Sequence, residues 1–316
     1  MLRLLRHSAI LITGIFLSCF LLWKLAQTQQ IKHEQQNGWA GIIDKHQHLD
    51  SLASPKLMLI GGSNIMFGLD SQLLQDSLHL PVINLGLGGA LGLSFFLNEA
   101  KQSLRKGDFV LISIEYFLDK GDYEAQLFTA SLFPPASQYI DYQSLADSLT
   151  VNWNYRLRRI RNLFLLPSAP SESNRIDDTT SVYFRKAFNH SGDIMSHLNN
   201  PSTTQLDDRT TMNQADYSTG IKKLNDFANF AKQNGVRVFF SYPSYCESEF
   251  QKNQKLLNEL DKQLRQQVAI EFIDTPKDQS YPDSLFFDTV YHLNGIGRLL
   301  RTQKIIKLLR KQIINP

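Results

Sequence analysis

Short, largely apolar runs separated by helix-length stretches constrain this chain more than any other feature. Leu57-Met-Leu-Ile60 is the first run and is closed by Gly61-Gly62. Val82-Ile-Asn-Leu85 is the second, followed by glycines at 86, 88 and 89, and Phe109-Val-Leu-Ile-Ser-Ile114 is the third. Helical patterns fill residues 69–78 and 91–104 between them. The alternation stops over residues 117–215, which are rich in aromatics, Ser, Asn, Asp and Pro. It resumes with a helix over residues 217–233, a strand over 236–240, a helix near 247–266, a strand over 268–273 and a last helix over 295–313. Short strands that are apolar on both faces belong to a parallel sheet covered on both sides. The pattern therefore predicts an α/β protein with a five-stranded parallel sheet between two helix layers and a long insertion after strand three. Ligands in such sheets bind outside the carboxyl ends of the strands, so chemistry is expected there.

A chain of 316 residues fits one large domain with a sizeable insertion. Hydrophobic residues at 42% against 20% charged allow a full core and exclude wholesale disorder. A net charge of +3, with no basic block interleaved with aromatics, argues against a nucleic-acid partner. Cys19 lies in an apolar N-terminal run and Cys246 far from it, so cysteine spacing suggests neither a disulfide framework nor a zinc site.

That N-terminal run extends from Ser8 to Trp23 without a charge, after Arg3, Arg6 and His7. With Leu25 and Ala26 it reaches bilayer-spanning length. Lys24 can snorkel, Trp23 suits an interface, and Lys24-Leu-Ala-Gln-Thr28 is a poor cleavage site. Residues 1–26 read as a transmembrane signal anchor, with a cleaved signal peptide as the alternative. The basic N-terminus stays in the cytoplasm, and the rest lies outside the inner or plasma membrane. Residues 27–55 read as a polar stalk with a short helix, and 56–316 as the α/β domain with its insertion at 117–215.

Three segments fall at the predicted active edge of the sheet. Gly61-Gly62-Ser63-Asn64 follows strand one; a serine on such a turn presents its hydroxyl above the sheet, or else simply caps the next helix. Asn84-Leu-Gly-Leu-Gly-Gly-Ala90 follows strand two; it either brings a backbone N–H to the same place or makes a tight turn. Neither glycine segment matches a phosphate loop or a dinucleotide fingerprint. Asp288-Thr-Val-Tyr-His292 precedes the last helix; His can take a serine proton and Asp can orient the ring. Asn294 as a helix cap accounts for part of that segment without catalysis. The convergence of all three on one edge is the strongest functional signal in the chain.

These residues resemble the SGNH (GDSL-type) hydrolase superfamily. Gly62-Ser63 matches its nucleophile block, Gly89 its oxyanion glycine, and Asp288 and His292 its closing block, over roughly residues 56–116 and 216–313. The resemblance implies a flavodoxin-like sheet, a Ser63–His292–Asp288 triad and no cofactor or metal. An anchor with a long insertion is similar to members that acylate or deacylate cell-envelope polymers. It implies a periplasmic or extracellular domain, an envelope glycan or acylated polymer as substrate, and a membrane-bound acyltransferase as a partner.

Three positions depart from the pattern. Gly62 stands where the family has Asp. Ser113-Ile-Glu115-Tyr116 stands where it has Gly-x-Asn-Asp. The Asp288–His292 spacing is one residue longer. A Glu carboxylate beside a developing oxyanion is repulsive unless protonated. Either Glu115 points away, or the hole uses only the Ser63 and Gly89 N–H groups, or Asn64 substitutes. Losing one such donor costs about 3 kcal/mol.

Glu115, Tyr116 and Tyr242, at the ends of strands three and four, are expected to shape the substrate pocket. Arg298, Arg301, Lys304, Lys307 and Arg310 read as a solvated face or an anionic-polymer site. Trp153, Tyr155, Arg156, Arg158 and Arg159 read as a sugar-stacking cluster or as local packing. Two functions follow: ester chemistry, by transfer or deacylation, or a non-catalytic carbohydrate-binding or assembly subunit that keeps the fold. The geometric discriminator is whether His292 reaches both Ser63 and Asp288.

Overall fold

The computed structural model describes residues 2–116, 121–164, 182–209, 212–213 and 216–313. The chain opens with α1 (Leu2–Glu34) and α2 (Gly41–Ser51), then β1 (Leu57–Gly61), α3 (Ser63–Gly68), α4 (Ser71–Leu78), β2 (Val82–Asn84), α5 (Gly92–Ser103) and β3 (Phe109–Ser113). The insertion contributes α6 (Tyr123–Leu132) and α7 (Leu145–Phe164). Then come α8 (Ser218–Gln233), β4 (Arg237–Phe240), β5 (Tyr245–Cys246), α9 (Glu247–Gln267), β6 (Glu271–Phe272), β7 (Ser280–Tyr281) and α10 (Gly295–Ile313).

Five strands form one sheet in the order β2-β1-β3-β4-β6, and every neighbouring pair is parallel. β5 and β7 make a separate two-stranded parallel ribbon. Side chains alternate across the sheet as its two-residue period requires. Met58, Ile60, Val110, Ile112 and Phe240 join Phe95, Leu224, Phe227 and Leu257 from α5, α8 and α9. Leu57, Leu59, Leu111 and Phe239 join Leu74 of α4 and Ile305 and Leu309 of α10. The three-layer arrangement expected from the apolar runs is present. The fifth strand is shorter than expected: only Glu271–Phe272 of residues 268–273 pairs, because it lies at the sheet edge with β4 alone for a neighbour.

The N-terminal expectations change in two ways. Part of the supposed stalk packs on the domain: in α2, Ile42, Lys45, His46 and Leu49 are buried. Residues 2–26 belong to α1, where Leu11, Ile15, Phe20, Leu21 and Leu22 are more than half exposed. Among the described residues, no helix is long and apolar enough to cross a membrane. The expected spanning run includes side chains at 8–10, 16 and 23 that lie outside the described residues.

The basic residues of α10 do not form one solvated stripe. Steps of three residues turn 300° around an α-helix, so the series walks around it and does not stay on one face. Arg298 and Arg301 consequently point into the protein and are 3% and 0% exposed. Arg298 meets Asp193 at 3.2 Å and donates to the Leu69 carbonyl. Arg301 Nη1 donates to the Asn64 carbonyl and the Ser244 hydroxyl, and its Nη2 to Asn64 Oδ1, the Ser113 hydroxyl and the Tyr242 carbonyl. It thereby ties together the ends of β1, β3 and β4.

Beside this cluster His197 is fully buried, with Nε2 at 3.1 Å from the Leu293 carbonyl. Burial, then Arg298 and His292, push it down to about 4. The folded state therefore prefers the neutral ring. Its stability contribution is complete above the unfolded value near 6.5 and is lost as pH falls through 4, by about 3 kcal/mol. Asp274, which burial pushes up to about 6, acts in the opposite direction: its contribution is present below the unfolded carboxylate range and lost as pH rises through 6. The two windows overlap, so the test is a comparison of variants. Between pH 7.5 and 4.5, thermal melts of His197→Gln should lose less stability than the wild type.

Candidate active site

β1 must end in glycine. A Cβ on Gly61 would lie 1.7 Å from the Ser113 carbonyl oxygen of β3, a contact no side chain survives. The chain then turns directly into α3, whose first residue is Ser63. This places the serine at the carboxyl end of the sheet, as its position after strand one implied.

The hydroxyl of Ser63 donates to Glu115 Oε1 at 3.1 Å. The Asn64 N–H donates to the same oxygen at 2.8 Å. Glu115 is 1% exposed, and its Oε2 is buried without a hydrogen-bond partner among the described residues. A Cβ on Gly62 would lie 2.0 Å from that Oε2. The two departures from the expected motif are thus one change: the longer carboxylate at 115 occupies the space that a side chain at 62 would need.

Asp288 and His292 form the expected pair. His292 Nδ1 lies 2.8 Å from Asp288 Oδ1. Phe67 of α3 stacks flat on the His292 ring, at 4.0 Å between centroids and 4° between planes. Backbone bonds hold the segment, with Phe287 N–H donating to the His292 carbonyl and Asp207 N–H to the Asp288 carbonyl. Burial raises the Asp288 carboxyl, but hydrogen bonds from His292 and Tyr183 outweigh it and hold the group below the usual carboxylate range. The ring therefore faces an ionised acceptor at neutral pH.

Ser63 and His292 line one cavity of about 260 Å³. Trp39, Met66, Leu87, Phe188 and Ile194 supply its apolar wall. No hydrogen bond joins Ser63 to His292, so the geometric discriminator is met on the Asp288 side only. Among the described residues, the Ser63 and Gly89 N–H groups donate to no protein acceptor. Gly89 opens a short 3-10 turn, and its neighbour Gly88 lines the cavity.

Three expectations for the pocket change. Asn64 is completely buried, with its N–H on Glu115 and its Nδ2 on the Ser113 carbonyl, and it does not line the cavity, so it offers nothing to an oxyanion there. Tyr116 and Tyr242 do not line the cavity: they pack against one another in an aromatic cluster with Tyr245, and Tyr242 donates to Asp261. Of the three residues expected to shape the pocket, only Glu115 touches Ser63.

The missed residue is Tyr183, from the insertion. Its hydroxyl donates a short hydrogen bond to Asp288 Oδ2 and lies 3.3 Å from His292 Nδ1. Burial, then Asp288, raise its phenol well above the ordinary range, so it remains a donor. The N-terminal segment fixes its backbone: Gly38 N–H donates to the Tyr183 carbonyl, and Asn37 bridges to Phe184. The Trp39 indole covers Gly88, where a Cβ would approach it to 2.5 Å. No local pattern in the sequence marks Tyr183 or Trp39, because each reaches the site only through long-range packing. Tyr183→Phe removes one hydrogen bond to a charged acceptor, worth about 1.5–3 kcal/mol. Under the ester chemistry proposed below, kcat on an aryl ester is expected to fall about tenfold, with KM little changed.

No protein-family profile and no curated protein matches the chain. Solved structures similar to it include a protein assigned to the lipolytic G-D-S-L family from Desulfitobacterium hafniense. It is 10% identical, covers 81% of this chain and 99% of its own, and has a TM-score of 0.38. A GDSL-like lipase from Bacteroides thetaiotaomicron is 10% identical, covers 88% of this chain and 98% of its own, and has a TM-score of 0.40.

Proposed function

We propose that this protein performs acyl-ester chemistry with Ser63 as nucleophile, His292 as general base and Asp288 as the group that orients the ring. The supporting observation is that Ser63 and His292 line one cavity and that Asp288 holds His292 Nδ1 at 2.8 Å. With Nδ1 committed to Asp288, Nε2 is the ring nitrogen left to accept a proton. The Ser63 hydroxyl turns from Glu115 to His292, and its proton passes to Nε2 as Oγ attacks the ester carbonyl. The N–H groups of Ser63 and Gly89 receive the oxyanion. Collapse of the tetrahedral intermediate breaks the ester C–O bond, and the leaving oxygen takes the proton from His292. Water or an acceptor hydroxyl then resolves the acyl-Ser63 ester by the reverse proton path.

The reading extends to place and substrate. The exposed apolar side chains of α1 hold the domain against a bilayer on its outer side, and the substrate is an acylated envelope glycan or related polymer. A membrane-bound acyltransferase is the natural supplier of acyl groups to a transferase of this kind. The deciding experiment incubates the protein with an acetylated aryl ester, with and without a glycan acceptor. Acetate as the product in both cases assigns a hydrolase; acetylated glycan assigns a transferase; no turnover of any ester removes the reading.

The Ser63–Glu115 hydrogen bond favours a second reading, a non-catalytic carbohydrate-binding or assembly subunit. An active-site serine reagent separates the two, since a subunit that keeps its hydroxyl on Glu115 forms no adduct at Ser63.

A further inference from the structure

Helix α7 turns its apolar side outward. Leu145, Leu149, Trp153, Leu157 and Ile160 follow at steps of four and three residues, which sets them on one stripe of the helix. They are 78, 66, 64, 45 and 46% exposed. The packing is done by the other side: Val151 and Tyr155 rest on the main core, and Asn152 donates to the Tyr142 hydroxyl. Contiguous apolar surface of this kind marks an interaction site.

Three observations choose a lipid bilayer as what covers it. Arg159, on the last turns of α7, pairs with Glu34 at the end of α1 at 2.9 Å. Glu34 lies only about 14 Å along the helix axis from Leu25, which ends a series of exposed apolar residues that includes Phe20, Leu21 and Leu22. The stripe is bordered by the exposed cations Arg156 and Arg161, suited to phosphate headgroups. It also carries Trp153, whose amphipathic ring favours the headgroup level.

We infer that α7 lies flat in the headgroup region of an anionic bilayer, its apolar stripe towards the acyl chains and its arginines on lipid phosphates. This rests on the reading that α1 sits in the same membrane. A single helix lets a domain rotate about it; a second contact by α7 fixes how the domain faces the surface.

The test uses the full chain with Trp23→Phe and Trp39→Phe, which leaves Trp153 as the only one of three tryptophans. The protein is reconstituted into phosphatidylcholine vesicles containing about one third phosphatidylglycerol, with dibrominated acyl chains as quenchers. We expect co-flotation with the vesicles, at least about twofold quenching of Trp153, and loss of that quenching in Leu149→Glu/Leu157→Glu. Flotation without quenching overturns the α7 inference and leaves the α1 reading standing. Failure to float overturns both. A blue-shifted but unquenched Trp153 means that protein covers the stripe, and also overturns it.

Discussion

Replacing Ser63 by alanine should lower kcat on an aryl ester by at least about 10³-fold while leaving the thermal midpoint close to that of the wild type. The side chain is only partly buried, and its hydroxyl makes one hydrogen bond, to Glu115. In the proposed mechanism this deletes the atom to be acylated, and the residual rate comes only from the oxyanion donors and binding. Active-site labelling should vanish in the same variant. Retained labelling would place the nucleophile elsewhere, and retained turnover would remove Ser63 from the mechanism. Glu115→Gln serves as the companion measurement. If Ser63 must leave Glu115 before attack, the amide should lower the rate far less than Ser63→Ala does.

Arg301→Leu should cause the largest loss of stability. The guanidinium is fully buried and donates to the Asn64 backbone, the Asn64 side chain, Ser113, Ser244 and the Tyr242 backbone. Leucine fills part of the volume but leaves several of these acceptors without a donor in a dry interior. Unpaired buried groups cost about 1–3 kcal/mol each, and partial relaxation brings the total to about 3–5 kcal/mol. For a chain of this size that corresponds to a midpoint lowered by about 10 °C in thermal melts. Turnover by the proposed mechanism should also fall below the melt, since Asn64 adjoins Ser63. A melt unchanged within error would mean that Arg301 is not the tie between the strand ends.

The site was legible where its geometry is local. Asp288 and His292 are four residues apart, and that spacing alone lets a turn bring them to 2.8 Å. Ser63 follows directly from a buried strand that ends in glycine. Glu115 is 52 residues from Ser63, and its identity raised the question of repulsion without deciding where the carboxylate points. Only the packed structure shows that it receives the serine hydroxyl and that Gly62 makes room for it. Tyr183 is 105 residues from Asp288 and lies in a region without periodicity, so nothing short-range announces it.

The sequence by itself determined the layered α/β architecture, because continuous apolar runs and 3.6-residue apolar periods dictate which surfaces must be buried. It also pointed Ser63 and the Asp288–His292 segment towards one edge of the sheet, because parallel strands place their carboxyl ends together, but it did not decide whether they join. Tertiary structure decided what those residues touch. It drew Arg298 and Arg301 inside, closed the cavity with Trp39 from the N-terminal segment and Tyr183 from the insertion, and turned Ser63 towards Glu115. The reason is physical: hydrophobic periodicity is summed over many residues and survives local variation. The partner of a single polar group is set by one distance between segments far apart in the chain.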